Sequence, residues 1–179
     1  MTFLINMYNS AFKAAELRLA PVVLPSLIRF TFAATLLFYF WNSAQTKFDG
    51  IFTPSLGAYA QIFPRAFEAV NYNIDGLGLF HRVVVLAGTY AEFLLPLLIV
   101  LGLFTRLSAL AMIGFVAVQT LTDLFGHGVL SQPATLGAWF DGAPDSLIMD
   151  QRLFWITLLI GLVLKGAGPL SLDRILRLQ

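Results

Sequence analysis

An all-α, membrane-integral four-helix bundle is the fold this sequence predicts, and three observations predict it. Of 179 residues, 58% are hydrophobic and only 12% are charged, whereas a soluble domain carries roughly 25% charged residues. Four stretches, near 22–42, 82–103, 106–124 and 152–168, approach the roughly 20 apolar residues that a helix needs to cross about 30 Å of hydrocarbon. Between them stand strong helix stops, above all the turn Gly102 to Arg106 and the run Lys165-Gly166-Ala167-Gly168-Pro169. The length suits a single domain, 1–179. Eleven Lys and Arg against ten Asp and Glu leave no basic footprint for nucleic acid. The absence of cysteine excludes disulfides, thiolate metal sites, iron–sulfur clusters and a thiol nucleophile. Redox chemistry, if present, then belongs to a bound cofactor or a partner.

Taken in order, residues 3–18 place Phe3, Leu4, Met7, Ala11, Ala14 and Ala15 at helical spacing opposite Lys13, Glu16 and Arg18. This pattern predicts an amphipathic helix lying at the membrane surface. The first span follows, broken near its start by Pro25 and closing on Tyr39, Phe40, Trp41 and Asn42, an aromatic boundary against the headgroups. The connection 43–80 is too long for a bare loop, and Leu56, Tyr59, Ala60, Phe63, Phe67 and Val70 share one face. A second interfacial helix near 56–70 is therefore expected. In the second span Pro96 is expected to kink the helix just beyond Glu92. The third span turns polar at Gln119, Thr120, Thr122 and Asp123. Residues 124–151, rich in Gly and Pro, are expected to be irregular and outside the membrane. After the fourth span, Ser171 is a plausible N-cap for one last turn.

Positive charge orients the chain. Lys13, Arg18, Arg106, Lys165, Arg174 and Arg177 fall on one side, and Lys47, Arg65, Arg82 and Arg152 are spread over long loops on the other. Both termini are expected to be cytoplasmic. The outer loops then carry most of the acids, among them Asp141, Asp145 and Asp150.

Two constellations could carry chemistry. Glu92 lies in mid-membrane, where a carboxylate is expensive and is either paired or functional. Counted at 1.5 Å per residue, Arg29 lies within reach of it. The two form either a structural ion pair or a catalytic pair in a polar pocket, with Glu92 accepting a proton and Arg29 keeping it ionised. Thr89, Tyr90, Lys47 and Gln119 would complete such a pocket for a quinone head group. The second constellation lies at the outer mouth. His81, Asp123 and His127 could hold a metal ion, or the histidines a haem, although histidines without a ligand are commoner. Gly88, Gly102 and Gly114 allow close helix contact.

The run Glu92-Phe93-Leu94-Leu95-Pro96-Leu97-Leu98-Ile99-Val100-Leu101-Gly102-Leu103-Phe104-Thr105-Arg106-Leu107-Ser108-Ala109-Leu110 resembles the central signature of the DoxX family of small bacterial membrane proteins. Ile28-Arg29 with the later Thr46-Lys47-Phe48, and Gly166-Ala167-Gly168-Pro169-Leu170-Ser171-Leu172-Asp173-Arg174, are similar to its flanking pieces. The resemblance implies a four-helix bundle in the bacterial inner membrane, with Arg29, Lys47, Glu92 and Arg106 important. Pro96, Gly102, Arg106, Gly168 and Asp173 would be structural. Some members resemble a subunit of a thiosulfate:quinone oxidoreductase, and others associate with redox-stress or metal-handling systems. The expectation is a quinone-linked redox subunit. The alternative is a non-catalytic module that binds a protein partner or a metal through its acidic outer face. A protein partner or a homo-oligomer is expected in either case.

Overall fold

A computed structural model describes residues 2–178. The chain begins with helix α1 (Thr2–Arg18), none of whose residues is buried. A long helix follows over Ala20–Gln45, made of α2 (Ala20–Phe32), a π-helical turn (Ala33–Leu37) and α3 (Phe38–Gln45). Pro25 lies inside α2 without ending it. A two-stranded antiparallel hairpin, β1 (Phe48–Gly50) and β2 (Thr53–Pro54), comes next; the sequence pattern gives no sign of it. Then come α4 (Leu56–Ile62), α5 (Pro64–Ala69), α6 (Leu79–Leu101) and α7 (Thr105–Leu121), which passes into a second π-helical turn (Thr122–Gly126). The remainder holds α8 (Pro133–Leu136), α9 (Met149–Lys165) and α10 (Leu172–Ile175).

The predicted four-span bundle is corrected. Among the described residues, three helices are long and apolar enough to cross a membrane: Ala20–Gln45, Leu79–Leu101 and Thr105–Gly126. The stretch 152–168 forms α9, which is 17 residues long, or about 25 Å, against about 30 Å of hydrocarbon. Its apolar part is shorter still. Asp150 and Arg152 occupy its first turn, and the helix stops at Lys165 because Gly166 turns to φ +75°. Hydropathy read along the chain joins Gly166, Ala167 and Gly168 to the span, whereas the backbone has already left it. Helix α9 instead lies along α7 and α2.

The expected helix 56–70 is also corrected. Pro64 disfavours a helical residue before it, Phe63 sits at φ −127°, ψ 57°, and the segment divides into α4 and α5. Their apolar faces still pack, with Ala58, Tyr59 and Phe67 buried against Leu77 and Val85. The aromatic boundary is only partly a boundary. Phe40 is wholly buried, and Trp41 stacks on Phe93 at 5.0 Å while its indole N–H donates to the Phe93 carbonyl at 3.0 Å. The main core, from Ile28, Phe32, Leu36 and Phe40 through Ile99, Met112 and Val116 to Leu159 and Leu162, joins the long helices to α9.

One end of this bundle is locked by the chain's own tail. Gly102 ends α6 in the left-handed conformation at φ +67°, as a helix C-terminus commonly requires. The Asp173 carboxylate accepts from the backbone N–H groups of Phe104 (2.7 Å) and Thr105 (2.9 Å), so it caps the start of α7. The Asp173 N–H donates to the Gly102 carbonyl at 2.8 Å. Ser171 caps α10 by accepting from the Arg174 N–H at 3.2 Å. A Cβ on Gly102 would stand 2.6 Å from the Ser171 Cβ and 2.8 Å from the Arg29 Cζ. Gly102→Ala combines that clash with a strained backbone worth roughly 1–3 kcal/mol. It is expected to lower the melting temperature in detergent by about 5–10 °C, which a thermal unfolding scan measures.

Candidate functional site

Glu92 lies on α6 and is 3% exposed. Its partner is Lys47, just past the end of α3, whose Nζ reaches 2.6 Å from Glu92 Oε2. The same ammonium donates to the Ser43 Oγ at 2.6 Å and the Ser43 carbonyl at 3.3 Å. A lysine has three N–H donors, and all three are used. The lysine stem therefore folds back along its own helix instead of reaching out to the headgroups, and the charge it carries inward neutralises Glu92. No hydrogen bond ends on Glu92 Oε1 among the described residues.

Beside the pair is a cavity of about 710 Å³ between α6 and α7. Its walls include Ala87, Gly88, Ala91, Ala111 and Gly114, small residues that leave the space open. A Cβ on Gly114 would meet nothing within 4 Å, so this glycine widens the cavity and holds no helix–helix contact. Ala87, Ala111, Gly114 and Val118 are exposed on two spanning helices, which opens the cavity sideways toward acyl chains. Its polar lining residues are Ser43, Lys47, Gln61, Glu92, Gln119, Thr122, Asp123 and His127. The second π-helical turn presents Asp123 there, and such turns are frequent at functional sites.

The structure redistributes the residues singled out in the sequence. Arg29 does not meet Glu92. Its guanidinium donates to the carbonyls of Ile99 (3.1 Å) and Val100 at the end of α6, and to those of Ala167 (3.2 Å) and Leu170 in the tail. Arginine has the fork of donors for this task, and Arg29 serves as a staple across the locked end. Lys47 and Gln119 line the cavity. Thr89 and Tyr90 do not: the Thr89 hydroxyl donates back to the Val85 carbonyl at 2.8 Å, and the Tyr90 hydroxyl donates to the Ile51 carbonyl in the hairpin. Pro96 is buried, and α6 continues through it.

The histidine constellation is not assembled. His81 packs against Phe63, with ring centroids 4.8 Å apart, while His127 Nε2 lies 2.9 Å from the Gln61 carbonyl. Asp123 accepts from Arg152 at 2.8 Å, and Arg152 lies over the Trp155 ring at 4.7 Å. Among the described residues no group of three His, Asp or Glu could hold a metal ion. Of the outer acids, Asp141 accepts from the Ala143 N–H and Asp150 from Ser146. Ser43, Gln61 and Arg152 are site residues that sequence reasoning missed. Ser43 was findable, because it lies four residues before Lys47 and hence on the same helical face.

Fold and site together define a multi-pass membrane protein with a buried ion pair beside a laterally open, largely apolar cavity. The DoxX family model matches residues 24–128, more than half of the chain and all of the cavity's lining. The protein belongs to the DoxX family. No curated protein and no solved structure matches it.

A buried pair broken on one side leaves an uncompensated charge, at a cost of roughly 3–5 kcal/mol, whereas replacing both partners by apolar residues is often neutral. Glu92→Leu or Lys47→Met alone is therefore expected to lower thermal stability sharply. The two together should restore it to near the wild-type melting temperature.

Proposed function

We propose that this protein is a membrane subunit of a redox system and that its cavity takes the head group of a membrane-soluble quinone or quinol. The observation that carries this reading is the buried Lys47–Glu92 pair in the wall of a cavity that small residues of two spanning helices leave open. A cavity open to the acyl chains suits a ligand that partitions into lipid. About 710 Å³ lies within the 300–1,000 Å³ usual for small-molecule sites.

The donor set fits the ligand's two forms. Glu92 Oε1 carries no hydrogen bond, and Gln119 Oε1 is buried without a partner. Both are acceptors, and they match the two hydroxyl groups of a quinol. The Lys47 ammonium, held by Ser43, stabilises the carboxylate when a hydroxyl proton has not yet moved. It offers a donor to the quinone carbonyl when Glu92 is protonated and releases it. Glu92 is thus the acceptor for one of the two quinol protons and, by the same path reversed, its donor to quinone, while the second proton is exchanged with water at the outer mouth. The two electrons exchanged in that conversion pass to or from a redox centre on a partner protein, since this chain has no cysteine to hold a cluster.

The charges at the locked end favour the cytoplasmic side of a bacterial inner membrane for that end, by the positive-inside rule. The start of α2 and the C-terminal tail meet there, because Pro25 lies directly beneath Gly168.

The test uses the paired variant, which separates stability from binding. Purified protein is titrated with a short-chain ubiquinone analogue and tryptophan quenching is read. Wild type is expected to saturate, and Lys47→Met with Glu92→Leu to bind at least about tenfold more weakly while unfolding at the wild-type temperature. Equal affinity in the folded double variant would remove the pair from the site.

A further inference from the structure

At the other end of the bundle, away from the Lys47–Glu92 pair, lies a second cavity of about 490 Å³, walled by the start of α2, the α6–α7 turn, the end of α9 and the C-terminal tail. Among the described residues, three cationic side chains line it, Arg106, Lys165 and Arg174, and one carboxylate, Asp173. That carboxylate is committed to capping the backbone N–H groups of Phe104 and Thr105. Gly166 and Gly168, both at positive φ, let the tail cross close to α7: a Cβ on Gly166 would stand 3.3 Å from Arg106 Nε. The guanidinium is thus held flat at the cavity wall, with Nη1 donating to the Val163 carbonyl at 3.2 Å.

A second observation is independent of the charges. Thr105 also lines this cavity and is wholly buried, yet its hydroxyl has no hydrogen-bond partner. A buried hydroxyl left unsatisfied is costly, and an oxygen-rich anion in the cavity would satisfy it. The rim decides between a soluble anion and a lipid. Val22, Leu107 and Leu178 are 44%, 66% and 48% exposed around the same opening, and a free anion would use none of them. The cavity also stands where two spanning helices, Ala20–Gln45 and Thr105–Gly126, begin, which is headgroup depth.

We propose that this cavity is a binding site for an anionic phospholipid, with the phosphate held by Arg106, Lys165, Arg174 and the Thr105 hydroxyl and the acyl chains running along Val22 and Leu107. Basic pockets between helices at a membrane face take such headgroups. Zwitterionic lipid gains less, because its own ammonium meets three cations.

The experiment is native mass spectrometry of the full chain in mild detergent, titrated with phosphatidylglycerol or phosphatidylcholine, with inorganic phosphate as competitor. Wild type is expected to bind phosphatidylglycerol at least about tenfold more tightly than phosphatidylcholine, and to retain it in millimolar phosphate. Each basic residue near a surface contributes roughly fivefold. Arg106→Gln, Lys165→Gln and Arg174→Gln together should therefore abolish the preference. If that variant does not purify as a single species, Lys165→Gln with Arg174→Gln, both at exposed positions, should still lose most of it. Equal binding of the two lipids, an unchanged preference in either variant, or full displacement by phosphate would overturn the proposal.

Discussion

An ammonium and a carboxylate buried together among apolar helices set the terms for one whole end of this protein. Removing either ion from water costs several kcal/mol even after relaxation, so the pair persists only because its surroundings complete it. Lys47 reaches Glu92 because the first long helix runs on to Gln45, well beyond the aromatic residues that would ordinarily close a span. Ser43, one turn back, then takes the two remaining donors. The hairpin 48–54 and the short helix α4 follow at once and pack against α6, and both members of the pair are buried. What stays open is the side facing α7, where small residues leave the cavity. Gln119 Oε1, buried without a partner, and Glu92 both belong to that cavity's lining.

The opposite end solves a different problem with different residues. In lipid every backbone carbonyl must be satisfied internally, and a tight turn between two spans exposes several at once. Arg29 takes carbonyls from both α6 and the tail, Gly102 accepts from Asp173, and Asp173 takes the first N–H groups of α7. The Gly-rich Ser-Leu-Asp ending is therefore a clasp over the α6–α7 turn. The residues quoted for the family resemblance divide accordingly. Arg29, Gly102 and Asp173 hold backbone, while Lys47 and Glu92 face the cavity.

Much of this was legible in the residues, and the misses share a cause. The three long spans follow from their apolar length, and the depth of Glu92 from counting along its helix. Its partner did not follow, because depth counting brings Arg29 within reach while helix rotation is decided by packing. Nothing in the spacing of Lys47 says that its stem turns inward. Hydropathy extends α9 into a fourth span because it is blind to a backbone that turns at Gly166. Span order alone puts the histidines on the same side of the membrane, whereas each has its own contact near the end of α4: Phe63 packs on His81, and the Gln61 carbonyl lies against His127. Gly114 shows the limit of composition most plainly. A glycine that admits a neighbouring helix and one that leaves room for a ligand are the same letter.

The central claim is that the space beside Lys47 and Glu92 is where a lipid-soluble redox ligand sits. Photocrosslinking with an azido-quinone, followed by peptide mass spectrometry on the wild-type protein in membranes, tests it most directly. The account predicts adducts concentrated within Ala87–Leu95 of α6 and Ala111–Gln119 of α7, competed away by unmodified quinone. Adducts scattered over the outward faces of the spans, or unaffected by competitor, would contradict it.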